Sequence, residues 1–92
     1  MAKFMRVRRR LREAQGGMCC YCARQMGPPH KNKKPHPSSE TIEHLRRKAD
    51  GGTNAPDNLA LACSECNTGR GAMDWLTYKT VRAGEIYREV TA

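Results

Sequence analysis

Residues 41–71 read TIEHLRRKADGGTNAPDNLALACSECNTGRG, and this stretch decides the fold. Its apolar residues predict one short strand over 41–45 and a second over 59–62. Between the strands, Asp-Gly-Gly at 50–52 favours a tight turn within a basic loop. A helix should begin close to Asn67, after the second strand has ended. The stretch therefore predicts two strands followed by a helix.

Four cysteines, two before this stretch and two within it, have a spacing typical of a metal site. Cys19 and Cys22 form one Cys-x-x-Cys pair and Cys63 and Cys66 form the other. Each pair can turn a tight knuckle, and four thiolates suit a closed, structural zinc site. Disulfides are the alternative, but the odd total of five cysteines and the lack of a secretion signal favour zinc. Cys20 is the spare, and we expect it to be a small, half-buried apolar side chain.

Length and composition indicate that the chain needs either such a staple or a partner to order it. A chain of 92 residues with 38% hydrophobic and 5% aromatic residues has too little apolar surface for a comfortable core. Its formal charge of +8 favours a polyanionic partner, because each neutralised phosphate releases counterions. No apolar run approaches the ~20 residues of a membrane span, and no signal peptide is visible. We therefore expect a cytoplasmic protein with no membrane partner.

An amphipathic helix over residues 2–15 precedes the stretch. Its apolar stripe consists of Phe4, Val7, Leu11 and Ala14. This stripe could pack against the core of the same chain or across a homodimer. Gly16 and Gly17 should end the helix in a left-handed conformation. The rest of the helix is crowded with arginines that we expect to contact phosphates, namely Arg6, Arg8, Arg9, Arg10 and Arg12.

A loop and a second helical segment complete the chain. Residues 27–39 contain four prolines and three lysines without periodicity, which predicts a loop. The loop carries His30 and His36, which are weaker candidates for zinc than the four thiols. Helical spacing returns over 73–90, where Trp75 should pack against the core and Gly84 should interrupt the helix. The prediction is one domain, 1–92, with an N-terminal helix at about 2–15, a core at about 18–71 and a C-terminal helical segment at about 73–90.

Three side chains in the opening stretch could carry phosphodiester hydrolysis. The reaction needs a base for water and a cation to offset charge on the phosphorane and the leaving 3′ oxygen. His44 is the natural base, and Glu43 and Asn67 offer the hard oxygens that suit Mg²⁺ or Mn²⁺. In a regular strand Glu43 and His44 point to opposite faces, so they serve one phosphate only at a strand end or bend. The alternative is a non-catalytic, zinc-stapled nucleic-acid-binding module in which Glu43 and His44 are an ordinary surface pair.

The order of these motifs resembles that of the HNH endonucleases, the zinc-bearing branch of the ββα-metal nucleases. The motifs, which span Cys19 to about Arg70, are Cys-x-Tyr-Cys, Glu43-His44, Gly51-Gly52, Asn58-Leu59 and Cys-x-x-Cys-Asn ending at Asn67. The resemblance implies a small α+β fold: a ββα-metal core stapled by a four-cysteine zinc site and flanked by a basic N-terminal helix and a C-terminal helix or helices. It also implies His44 as general base, Glu43 and Asn67 as ligands of the catalytic ion, and Asn58 as the residue that ties down the long loop and so orients His44.

The resemblance further implies a substrate and a setting. Family members are metal-dependent DNA endonucleases, many from phages, mobile elements or restriction systems, so it implies nicking or cutting of DNA in a bacterial or phage-infected cell. Arg70 would face the phosphate, and we expect Arg46, Arg47 and Lys48 to add phosphate contacts. Glu43 stands where the family usually has aspartate, and Asn67 stands where many members have histidine. A nuclease that acts only beside a partner protein remains a further alternative.

Overall fold

The structure, a computed structural model, describes residues 2–29 and 36–91, with side chains described over 5–29 and 36–85. His30 and the side chain of Phe4 lie outside the described residues. The elements are α1 (Ala2–Gln15), β1 (Glu40–His44), β2 (Leu59–Cys63), α2 (Ser64–Arg70) and α3 (Trp75–Thr91), with short 3-10 helices at Lys48–Asp50 and Pro56–Asn58. The predicted α+β fold is confirmed. None of the described helices has the length and apolar character needed to cross a membrane.

The two strands pair antiparallel, with Glu40 opposite Cys63 and His44 opposite Leu59. β2 is the more deeply buried strand, because its Leu61 and Cys63 have no exposed surface. β1 differs, since both of its carboxylates, Glu40 and Glu43, are buried. Buried carboxylates require hydrogen-bonding partners. The partners of these two residues hold the helices to the sheet.

α2 begins at Ser64, three residues before the start that the sequence indicated. Its N-cap is Cys63, whose Sγ accepts a hydrogen bond from the Cys66 amide at 3.4 Å. The second cysteine knuckle and the first turn of the helix are therefore one structure. An N-cap needs a side-chain acceptor, and here a sulfur takes the place of the usual oxygen. The prediction near Asn67 was late because it treated the knuckle as a separate turn.

α3 runs without interruption from Trp75 to Thr91, so the predicted break at Gly84 is wrong. Asp74 caps the helix by accepting a hydrogen bond from the Thr77 amide at 3.1 Å. A glycine inside a helix costs about 1 kcal/mol, which a helix of this length can absorb. Trp75 packs partly buried against the core, as expected, whereas the neighbouring Leu76 is exposed.

The core is small and rich in sulfur. Its buried cluster consists of Cys19, Tyr21, Ala62, Cys63, Cys66 and Tyr78. The two tyrosine rings meet edge to face, with centroids 5.0 Å apart. Cys20 packs half-buried against the cluster, which confirms the expectation for the spare cysteine. Half of the buried cluster is thiol, so the stability of the core depends on what those thiols bind.

α1 meets the rest of the protein largely through polar side chains. It ends at Gln15, and Gly16 and Gly17 adopt the expected left-handed conformation, with φ of 63° and 76°. The Gln15 amide donates to the Leu61 carbonyl at 3.0 Å and accepts from the Leu61 amide at 2.9 Å, so it extends β2 as a neighbouring strand would. In the apolar stripe, Leu11 is only half-buried and Ala14 is exposed. The stripe therefore covers less of the core than its pattern suggested.

A buried carboxylate joins α1 to β1. Glu40 accepts hydrogen bonds from Arg8 at 2.9 Å and from Arg12 at 2.8 and 2.9 Å. Burial raises the pKa of Glu40, but the hydrogen bonds and charges of Arg12 and Arg8 outweigh burial, and the pKa falls below its ordinary value. Arg8 and Arg12, which the sequence assigned to phosphates, both pair with this buried carboxylate, and 47% of the Arg12 side chain stays exposed.

We expect Glu40→Gln to lower the free energy of unfolding by about 2 kcal/mol at neutral pH. Breaking a buried ion pair costs about 3–5 kcal/mol, and the partial exposure of both arginines reduces this. Because the folded-state pKa of Glu40 is lowered, its contribution is complete above the ordinary glutamate pKa and disappears as the pH falls through the folded value. The gap between wild type and variant should therefore narrow in acid.

Urea unfolding at neutral pH and at a series of acidic pH values measures this gap. The matched control is Glu13→Gln, which alters an exposed carboxylate on the same helix with no ion pair among the described residues. We expect this control to stay within about 0.5 kcal/mol of wild type. A gap for Glu40→Gln that widens in acid would contradict the assignment.

Candidate active site and metal centre

The four paired cysteines converge on one point. The Sγ atoms of Cys19, Cys22, Cys63 and Cys66 all lie within 4.8 Å of one another, and those of Cys22 and Cys63 are 3.8 Å apart. Tetrahedral zinc with Zn–S bonds of about 2.3 Å places its sulfurs about 3.8 Å apart. Within the described residues, these cysteines are the one group of three or more His, Cys, Asp or Glu side chains positioned to hold a metal. The cluster is therefore positioned to form a zinc site.

The surroundings of the sulfurs also suit a metal ligand set. Cys19 Sγ accepts hydrogen bonds from the amides of Tyr21 and Cys63 at 3.4 and 3.3 Å. Hydrogen bonding with Cys20 lowers the pKa of Cys19 to about 4, whereas burial raises the pKa of the Cys63 and Cys66 thiols. A divalent cation stabilises thiolates and would reverse that rise. Four thiolates complete a tetrahedron, so this ion would be structural.

Glu43 is held from two sides in the interior. Its Oε2 accepts a hydrogen bond from the Tyr21 hydroxyl at 2.8 Å and lies 3.3 Å from a guanidinium nitrogen of Arg70. Burial, together with the hydrogen bond to Glu43, raises the pKa of Tyr21, so the phenol stays protonated and donates. No donor among the described residues bonds to the other oxygen, Oε1.

Asn67 lies on the same face of β1 as Glu43. Its Nδ2 donates to Thr41 Oγ1 at 2.9 Å and to the Ile42 carbonyl at 3.3 Å. Thr41 and Glu43 are two residues apart in a strand, so their side chains share a face, and α2 covers that face. The Asn67 Oδ1, like Glu43 Oε1, receives no donor from the part of the chain that the structure describes. Two hard oxygens are thus left available on one face of β1.

Arg70 is buried, whereas the sequence had suggested that it faces a phosphate. It donates to the carbonyls of His44 at 2.8 Å, Leu45 at 2.6 Å and Met73 at 2.7 Å, in addition to its ion pair with Glu43. With 5% of its surface exposed, the guanidinium has little left to offer a phosphate. Arg70 instead locks the end of β1 to the connection between α2 and α3.

His44 points away from Glu43, as strand alternation requires. Its Nε2 lies 2.8 Å from the Asn54 Oδ1. Because an amide oxygen can only accept, Nε2 carries a proton, and in the neutral form of the ring Nδ1 presents the lone pair. Sequence reasoning missed Asn54, since it stands in the loop with no motif to mark it.

Asn58 closes the loop between the strands. Its side chain accepts from the Arg46 amide at 2.8 Å and donates to the carbonyls of Arg46 at 3.0 Å and Thr53 at 2.8 Å. Gly52 allows this closure, because a Cβ there would collide with the Arg46 carbonyl. Asn58 thus holds the loop, while the contact with the imidazole belongs to Asn54.

The remaining basic side chains differ in whether a carboxylate or a carbonyl already occupies them. Arg47 forms an ion pair with Asp50 at 3.0 Å, and the Arg46 Nε donates to the Asp50 carbonyl at 2.7 Å. Arg6, Arg9 and Arg10 are neighbours on one side of α1. The exposed basic side chains with no carboxylate partner within the described ranges are Arg6, Arg9, Arg10, Arg46, Lys48 and Lys79. His36 is exposed, lies 2.8 Å from Ser38 and is not part of the cysteine cluster.

Comparison with known proteins points to one family. The family model described as HNH endonuclease matches residues 19–72, which is more than half of the chain. The matched residues include both cysteine pairs, both strands and α2. Searches of curated proteins and of solved structures found no match. On the strength of that model match, together with the four-cysteine cluster beside a ββα core, the chain belongs to the HNH endonuclease family.

Proposed function

We propose that this protein is a metal-dependent DNA endonuclease that hydrolyses phosphodiester bonds. His44 is the general base, and Glu43 and Asn67 hold the catalytic divalent ion. One observation carries the proposal. Glu43 Oε1 and Asn67 Oδ1 have no donor among the described residues and lie on one face of β1, while His44, the last residue of the strand, points to the other face. A phosphate at this strand end would meet both faces.

The two oxygens fit a hard cation. A carboxylate and an amide oxygen, completed by water and phosphate oxygens, suit Mg²⁺ or Mn²⁺ better than zinc. The four thiolates suit zinc, so the two kinds of ion are separated by ligand hardness. When bound, the oxygen-held ion supplies positive charge against the phosphorane and the leaving 3′ oxygen.

His44 takes the proton from the attacking water at Nδ1. Asn54 accepts from Nε2, so the imidazole keeps this hydrogen bond in its neutral form and after it gains a proton. Asn58 holds the loop that presents Asn54. Cleavage on these lines leaves a 5′-phosphate and a 3′-hydroxyl.

The exposed basic side chains support DNA as the substrate. Arg6, Arg9 and Arg10 on α1 and Lys48 in the loop present charge that no described carboxylate neutralises. Such contacts bind phosphates and carry no sequence information directly. We therefore expect strongly salt-dependent binding and low sequence specificity, unless a homodimer or a partner protein adds base contacts.

We expect His44→Ala to slow plasmid cleavage by at least about 100-fold, because a positioned base contributes roughly 10²- to 10⁴-fold. Relaxation and linearisation of supercoiled plasmid by zinc-loaded protein in Mg²⁺ or Mn²⁺ measure the rate. His36→Ala is the matched control, since His36 is exposed and its ring hydrogen-bonds only with Ser38 among the described residues. Cleavage by His44→Ala at the wild-type rate would show that another group is the base.

A second candidate function is a non-catalytic, zinc-stapled module that binds nucleic acid. The ion pair between Arg70 and Glu43 favours it, because it neutralises the carboxylate that should hold the ion. This candidate predicts salt-dependent DNA binding of equal strength in wild type and His44→Ala, with no metal-dependent cleavage by either. Gel-shift titrations at several salt concentrations, made on the same preparations as the plasmid assay, separate the two functions.

A further inference from the structure

Tyr21 links the cysteine cluster to the carboxylate of Glu43. It lies between Cys19 and Cys22, and its own amide donates to Cys19 Sγ. Its ring packs edge to face against Tyr78, and the residue as a whole is 4% exposed. Its hydroxyl points away from the four cysteines and donates a hydrogen bond to Glu43 Oε2 at 2.8 Å. The backbone of Tyr21 is therefore part of the first cysteine knuckle, while its side chain contacts Glu43, the proposed ligand of the divalent ion.

The Tyr21 hydroxyl is itself held in place. It accepts a hydrogen bond from Arg70 Nη1 at 3.3 Å, and Arg70 is anchored to the carbonyls of His44 and Leu45. Both neighbours of Glu43 act on Oε2, so the carboxylate cannot rotate without losing them. The arrangement thereby determines which oxygen, Oε1, is left for a cation.

We propose that Tyr21 is a positioning residue for the divalent-ion site and transmits the rigidity of the zinc knuckle to Glu43. The inference rests on the proposed role of Glu43 as an ion ligand. Its physical basis is the length of the glutamate side chain. Glutamate has one more rotatable bond than aspartate, and the Tyr21 hydroxyl removes that freedom before the ion binds.

Tyr21→Phe tests the role, because it removes the hydroxyl and keeps the ring. We expect zinc-loaded Tyr21→Phe to bind Mn²⁺ roughly 10-fold more weakly than wild type, as is usual when a partner of a metal ligand is lost. Electron paramagnetic resonance of free Mn²⁺ measures binding directly. In plasmid cleavage, the half-maximal Mn²⁺ concentration should rise by the same factor, while the KM for DNA stays unchanged.

Tyr78→Phe is the matched control. Tyr78 belongs to the same buried ring pair, but its hydroxyl faces Gly69 and the Cys66 thiol rather than Glu43, so the zinc content of this variant is measured before its affinity for Mn²⁺. This variant should lose a buried hydroxyl and keep the wild-type affinity for Mn²⁺. Wild-type Mn²⁺ affinity in Tyr21→Phe would overturn the proposal. Equal weakening in both variants would also overturn it, because the effect would then come from the core as a whole.

A second variant keeps the test decisive if Tyr21→Phe loses its zinc. Glu43→Asp shortens the side chain and withdraws the carboxylate from the Tyr21 hydroxyl, so it too should weaken Mn²⁺ binding, although aspartate is an equally good ligand type. Glu43→Asp that binds Mn²⁺ as tightly as wild type would overturn the proposal.

The two readouts separate this inference from the proposed function. Weaker Mn²⁺ binding by Tyr21→Phe, with no plasmid cleavage even by wild type, would support the role of Tyr21 and overturn the nuclease. Cleavage by both proteins with the same Mn²⁺ dependence would support the nuclease and overturn the role of Tyr21. Wild type that binds no Mn²⁺ would overturn the inference.

Discussion

Removing zinc should unfold this protein. The buried cluster has six members, three of them cysteines, and the chain is only 38% hydrophobic. Structural zinc contributes an apparent ~10–16 kcal/mol in small zinc domains, which matches or exceeds the ~5–15 kcal/mol net stability of most domains. Without the ion, the buried sulfurs of Cys63 and Cys66 form no bond to a metal, and the free energy of those bonds is lost to the folded state. We expect the zinc-free protein to lose its cooperative thermal transition.

Circular dichroism melts before and after treatment with a strong chelator measure this, alongside zinc quantification. Cys63→Ser should fail to retain zinc, because it removes a fully buried ligand that also caps α2. The matched control is Cys20→Ser, which alters the half-buried cysteine outside the cluster and should keep one zinc per chain. A zinc-free protein that melts cooperatively at the wild-type temperature would contradict the structural role of the metal.

Replacing Arg70 should be the most damaging change to a charged side chain. Arg70→Met keeps most of the side-chain volume but leaves Glu43 buried without its cationic partner and leaves the carbonyls of His44 and Leu45 without donors. Breaking a buried pair in this way costs about 3–5 kcal/mol. The thermal midpoint of the zinc-loaded protein should fall by more than about 10 °C.

Thermal and urea unfolding of three variants test the origin of this loss. Arg24→Met is the control, because Arg24 pairs at 3.1 Å with Glu65 on the surface and should contribute less than about 1 kcal/mol. Adding Glu43→Gln to Arg70→Met should restore part of the stability, since it removes the buried charge. If Arg70→Met proved as stable as Arg24→Met, the buried pair would contribute nothing measurable to the fold.

Local signals in the sequence were sufficient for most of the elements. The helix over 2–15 follows from its periodicity and from the two glycines that end it, and both strands lie within one residue of their predicted limits. The zinc site was predictable because each Cys-x-x-Cys pair is a local turn that needs little more than its own residues. The family resemblance rested on the same short motifs.

Two predictions about helix limits were wrong. α2 begins early because a cysteine sulfur serves as its N-cap, a use that residue statistics do not anticipate. α3 passes through Gly84 because the loss at one glycine is small beside the length of the helix.

The order of helices and strands, the cysteines positioned for a zinc site and the family could all be predicted from the chain, because each depends on short local motifs. The folded structure decides which charged side chains form ion pairs and which remain exposed to solvent. Arg8 and Arg9 are adjacent and chemically identical, yet one holds a buried carboxylate and the other faces solvent. Tyr21 and Asn54 acquire their contacts in the same way, from partners 22 and 10 residues away along the chain, and these hydrogen bonds form only when the strands and the loop close. Packing sets the choice of partner between distant side chains, and no local pattern encodes it.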